Sequence, residues 1–117
     1  MLLFGFCTEE PLVLNDDDEL FRSPLRIDPR PMDGIYHATF VLARMHWAMT
    51  KLINDSRVSP EQRELAIQAA RVDRRHFSDG LAIVEAHARL TPMGAALMDG
   101  ARQYMAQTEA EPAEVPA

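Results

Sequence analysis

Apolar residues recur at helical spacing in three stretches of the chain, each separated from the next by a proline-bearing boundary. In the first stretch Ile35, Leu42, Met45, Met49 and Leu52 follow a near-heptad rhythm, which predicts a helix over residues 33–54 with that stripe turned to the core. Asp33 is placed to accept hydrogen bonds from the first-turn amides, Lys51 sits near the negative end, and Asn54-Asp55-Ser56 closes the element. Phe40, Val41, Trp47 and Ala48 widen the stripe, so more than one face of this helix is expected to be covered.

The second stretch opens on Ser59-Pro60-Glu61-Gln62. Ser59 is a cap, Pro60 stands where its missing N–H costs nothing, and Gln62 occupies the reciprocal capping-box position. From there Leu65, Ala69, Val72, His76, Gly80, Ile83, His87 and Leu90 line one face, flanked by Ala66, Ala70, Phe77, Leu81, Val84 and Ala88. The periodicity survives Gly80, and one internal glycine costs only about 1 kcal/mol. One helix of some thirty residues is therefore expected, with its weak point at Ser78-Asp79-Gly80. Thr91-Pro92 repeats the cap-then-proline signal and starts a third helix to about residue 107, carrying Leu97, Met98, Ala101, Tyr104 and Met105.

The remainder follows other rules. Residues 1–32 hold seven acidic and three basic residues, with Pro11, Pro24, Pro29 and Pro31. This spacing forbids long regular structure. An extended arm results, with a short strand or turn at residues 2–6 or 12–14, and its apolar side chains suit it to lie strapped across helices. Residues 108–117 are small, acidic and proline-bearing, and read as a disordered tail. The fold class is therefore all-α: a three-helix antiparallel bundle at 33–107, preceded by the proline-rich arm at 1–32. The short connections set consecutive helices antiparallel. A small third helix and a long second one leave a core that a second copy, as in a dimer, would complete.

Charge and cysteine usage narrow the chemistry. Twelve Lys+Arg against eighteen Asp+Glu give a formal charge of −6, which disfavours nonspecific attraction to nucleic acid or anionic lipid. Cys7 is the single cysteine, so it forms no internal disulfide and supplies no thiolate pair for a metal, and the cytoplasm is the expected compartment. The apolar start has no basic residues before it and no small-residue cleavage site after it, so it does not read as a leader. No run approaches the length of a membrane span. No glycine elbow, phosphate loop or HExxH pattern appears; the residues favour binding over catalysis without deciding between them, and no cofactor is expected.

His76 and His87 share a face of the second helix, but about 16 Å of helix rise separates them. A metal site on Asp73, His76 and His87 would therefore need a subunit interface; it would serve a metal- or ligand-binding bundle, an enzyme among the possibilities. His37 and His46 fall on opposite faces of the first helix. Arg71, Arg74 and Arg75, with Arg63 and Arg89, form the only basic concentration and would carry a DNA-binding regulator. Five acids balance these five bases across residues 59–90, however, as expected of a solvated face laced with ion pairs. The favoured reading is a protein-binding module, an adaptor, chaperone-like escort or inhibitor. Its anchors are Phe4 and Phe6 of the arm with Phe40 and Trp47 of the first helix, the last two beside an adaptable Met/aromatic surface. Asp16, Asp17 and Asp18 steer it toward a partner with a basic surface.

Overall fold

Proline sets where each helix begins. In the computed structural model, which describes residues 11–23 and 28–109, α1 (Met32–Ile53) follows Pro31, α2 (Pro60–His87) starts on Pro60 and α3 (Pro92–Glu109) on Pro92. Two short antiparallel strands, β1 (Leu20–Phe21) and β2 (Arg30–Pro31), pair Leu20 with Pro31 and Phe21 with Arg30. The described residues are thus mostly helical, with three helices and a small two-stranded sheet.

The α2 boundary is as the sequence anticipates. Ser59 Oγ accepts from the Gln62 amide at 3.1 Å, and Gln62 Oε1 accepts from the Ser59 amide at 3.0 Å. At α3, Thr91 Oγ1 accepts from the Gly94 amide at 3.0 Å. The α1 boundary differs. Its cap position is Pro31, without a side-chain cap bond, because β2 delivers the chain straight into the helix. Asp33 instead lies in the first turn, where a carboxylate still favours the positive helix end. α3 continues to Glu109, past the expected start of a tail; residues 110–117 lie outside the described residues.

The buried stripes are rotated from those expected. In α2 the buried residues are Ala66, Ala70, Asp73, Phe77, Gly80 and Val84, at alternating steps of four and three, while Leu65 and Val72 are exposed. Three of the six buried positions are the small residues Ala66, Ala70 and Gly80, and helices approach one another more closely where the side chains at the contact are small. In α1, Met32, Ile35, Tyr36, Thr39, Leu42, Ala43 and His46 are buried. Met45 and Leu52 are exposed, because the inward face of the second half is centred on His46. α2 is continuous through Gly80.

The arm lies across the α2–α3 junction. Leu14 N donates to Arg89 O at 2.7 Å, Val13 bridges Leu90, and Thr91 N donates to Leu12 O at 3.2 Å. Asn15 closes the end of α2, donating to His87 O at 3.1 Å and accepting from the Arg89 amide at 2.7 Å. Gly94 makes this seating possible: a Cβ there would lie 3.2 Å from Leu12 Cα and overlap the Leu12 carbonyl oxygen. The expected strand at 2–6 lies outside the described residues.

Candidate functional site

The outward side of the α1–α3 contact is open. Phe40, Ala43, Arg44 and Trp47 of α1 face Ala96, Leu97, Gly100, Ala101 and Tyr104 of α3 across a groove of about 430 Å³. The sequence places small residues where α3 turns outward at Ala96 and Gly100. The groove opens there because neither side chain reaches the α1 aromatics.

One wall rests on a polar network. Tyr104 lines the groove, and its hydroxyl lies 2.9 Å from Nδ1 of buried His46. On the other side of the imidazole, Arg74 Nη2 stands 3.4 Å from Nε2. A guanidinium only donates, so Nε2 accepts, the neutral ring carries its proton on Nδ1, and that proton is donated to Tyr104. Burial first, and the Arg74 charge second, hold the His46 pKa below its usual value. Arg74 also donates to Met105 O at 3.1 Å and to Thr108 Oγ1 at 2.6 Å, where α3 nears its carbonyl-rich, negative end. A parallel device closes α1: Arg63 donates to Ile53 O at 2.9 Å and Asp55 O at 3.1 Å.

Among the described residues Arg44 is the only charged one lining the groove. Among the described residues no hydrogen bond or ion pair engages it. Trp47 is 47% exposed, with Lys51 Nζ 5.2 Å from its ring centroid. Arg44 and Lys51 give α1 cations beside the groove, and no acid lines it among the described residues.

Phe40 and Trp47, singled out in the sequence, thus share one groove. Phe4 and Phe6 lie outside the described residues. Asp16, Asp17 and Asp18 are exposed on a turn closed by the Glu19 amide donating to Asp16 O, and no described contact joins that turn to the groove. Glu19 is bound to Arg89 at 3.1 Å. Of the remaining Met/aromatic set, Tyr36, Met98 and Met105 belong to the core. Tyr36 donates to Gly94 O at 2.7 Å, and burial pushes its hydroxyl up to about 12.

Asp73, His76 and His87 are spread along α2. Asp73 is buried, His76 half-buried, and His87 exposed with the Phe21 ring tilted against it at 5.0 Å between centroids. Burial raises the Asp73 pKa, against the opposing charge of His76. Among the described residues no three His, Cys, Asp or Glu side chains gather as a metal-binding group, and no helix is long and apolar enough to cross a membrane. His37 is exposed and His46 buried, the opposite-face placement expected of them. Sequence reasoning missed the His46–Arg74–Tyr104 network; its one available signal was a histidine in line with the apolar positions of α1. A scan of protein-family models, of curated proteins and of solved structures found no match to the chain.

Proposed function

We propose that the chain is a small cytoplasmic binding module that acts stoichiometrically, receiving an apolar segment of another protein in the α1–α3 groove. The observation that carries this reading is the convergence of exposed Trp47 and half-buried Phe40 on one apolar trough, with Arg44, which no described residue engages, as the only charge among its described lining residues. Aromatic anchors beside a desolvated pocket are where binding energy concentrates. Arg44 and Lys51 favour a partner segment that carries a carboxylate next to its apolar residues. The exposed turn at Asp16–Asp18 sets a second, acidic surface for orientation against basic residues of the same partner.

In this reading the helices form an antiparallel bundle that a second copy completes. Exposed Met45, Leu52, Leu65 and Val72 support it, together with a second trough lined by Met49, Leu52, Leu65 and Ala69 at the α1–α2 end. Affinity recovery of the intact protein from its own cells, with mass analysis of what co-purifies, tests the groove. Trp47→Ala is expected to lose the partner at unchanged helicity; a partner retained in full by Trp47→Ala refutes the groove as its site.

A further inference from the structure

Both α1 and α2 carry a second apolar seam beside the buried one. In α2 the buried Ala66, Ala70 and Asp73 are each preceded in sequence by a residue of the open seam, Leu65, Ala69 and Val72. In α1 the buried Thr39, Leu42 and His46 are preceded in the same way by Ala38, Val41 and Met45, and the seam runs on through Ala48 and Leu52. Steps alternate between three and four along both, the spacing with which one helix packs lengthwise on another. The open seams turn away from α3. Met45 stands nine residues from Tyr36, which bonds Gly94, and Leu65 nine residues from Arg74, which bonds Met105 and Thr108. Nine residues make about two and a half turns, so each points opposite to the side chain that meets α3. The two seams adjoin, since Met49 and Leu52 share a trough with Leu65 and Ala69. Leu65 is 66% exposed, Met45 46%, Leu52 43% and Val72 39%.

We propose that this face docks on the same face of a second copy, with α1 of each copy lying on α2 of the other, and that the pair closes a four-helix bundle carrying α3 on its outer sides; this rests on the reading already given, that a second copy completes the bundle. A seam beside the buried one calls for a further helix alongside. Self-complementarity identifies it. With α1 and α2 running in opposite directions, Leu52 comes level with Leu65, Ala48 with Ala69 and Met45 with Val72, so a second copy sets large residues on large and small on small. Further along, Ala38 comes level with exposed Asp79, where the seam turns polar, and the apolar ends match only when the α1–α2 loops of both copies lie together. Charge selects which helix lies on which. Between Asp33 and Ile53, α1 holds Arg44 and Lys51 and no acid, and would repel its own copy; the exposed side of α2 mixes Glu61 and Glu64 with Arg71 and Arg75. The size agrees as well. From Leu65 to Ile83 the seam is about 27 Å long and the helix pair about 20 Å across, roughly 500 Å² before side-chain relief is counted, on the scale of the about 800 Å² per partner of a standard interface. Trp47 lies two residues beyond Met45, about 200° round the helix, so the α1–α3 groove of each copy stays open and the dimer presents two.

Sedimentation equilibrium of the full-length protein at micromolar concentration is expected to give twice the chain mass of 13.2 kDa, and Leu52→Lys with Leu65→Lys the single mass at unchanged helicity. Leu65→Lys alone, at the most exposed of these positions, spares the fold and should weaken the dimer by about tenfold or more. The pairing of helices is read by disulfide formation. Chains carrying Cys7→Ser with Leu52→Cys, mixed with chains carrying Cys7→Ser with Leu65→Cys, should on oxidation join to each other faster than either joins to its own kind. A parent protein of single mass overturns the proposal together with the second-copy reading, and leaves the groove untouched. A dimer that Leu52→Lys with Leu65→Lys does not weaken overturns this proposal alone, because the copies then meet elsewhere. Faster joining of Leu52→Cys chains to Met45→Cys chains than to Leu65→Cys chains also overturns it, since α1 then lies on α1. The groove is tested apart from all of these, by the partner recovery that Trp47→Ala removes.

Discussion

The same substitution made at two glycines of α3 is expected to change stability in opposite directions. Glycine in a helix interior costs roughly 0.5–1 kcal/mol relative to alanine. At Gly100 an added Cβ meets nothing within 4 Å, so Gly100→Ala should recover that amount. At Gly94 the same methyl overlaps the backbone carbonyl of Leu12, and no rotamer relieves a backbone clash. The arm must move away, which strains or breaks the Thr91 N to Leu12 O and Thr91 Oγ1 to Pro11 O bonds at 3.2 and 2.9 Å. Overpacking costs about 1–3 kcal/mol and a lost hydrogen bond about 1 kcal/mol, so the propensity gain is more than offset. The net expectation for Gly94→Ala is a loss of about 1–3 kcal/mol. At roughly 4 °C per kcal/mol for a chain of this size, the two variants should differ by about 6–16 °C in Tm, with the parent between them. Thermal and urea unfolding followed by far-UV circular dichroism reads this directly. A Gly94→Ala protein as stable as the parent would refute the seating of the arm on α3.

Three further expectations follow from the titrating groups and the caps. Burial raises the Asp73 pKa, so its ionised form opposes folding at neutral pH; Asp73→Asn should raise the urea midpoint at pH 7, by an amount that shrinks as pH falls toward the carboxylate range. His46 is held neutral, its folded pKa below the ordinary 6.5. Its contribution is therefore complete above that value and is lost as pH falls through the folded pKa. His46→Gln, which keeps an acceptor for Arg74, should flatten the fall in Tm on acidification. Ser59→Ala removes one arm of the α2 capping box and should cost about 1 kcal/mol in urea titration, whereas an unchanged midpoint would mean that the box contributes nothing.

What the sequence made legible was set by local chemistry. Ser59-Pro60-Glu61-Gln62 and Thr91-Pro92 mark helix starts because capping is decided within four residues, and the structure has both. Gly80 sits inside a continuous helix because its neighbours keep the period. The inward face of α2 was not legible, since two apolar stripes lie side by side and only tertiary packing buries Ala66, Ala70 and Gly80 and leaves Leu65 and Val72 exposed. Asp33 lost the cap position to Pro31 because a β-pair between distant residues fixes the entry to α1. Of the site, Phe40 and Trp47 were visible as excess aromatic positions on a short helix. The opposite wall was not: Ala96 and Gly100 look like ordinary small residues until α3 is laid against α1. Arg63 and Arg74 read as members of a charge run, yet each reaches the carboxyl end of another helix, a contact no spacing along α2 reveals.

The central claim is that the α1–α3 groove is where this chain meets another molecule. Native mass spectrometry of the untagged protein taken from its own cells tests it most directly, run beside Gly100→Leu, a substitution that fills the groove at a position where a Cβ has open space. The account predicts a discrete complex with a second protein for the parent chain, and the free protein for Gly100→Leu at unchanged helicity. A complex that survives Gly100→Leu at the same abundance, or a parent chain that appears only as a homo-oligomer bearing a metal or small molecule, would contradict it.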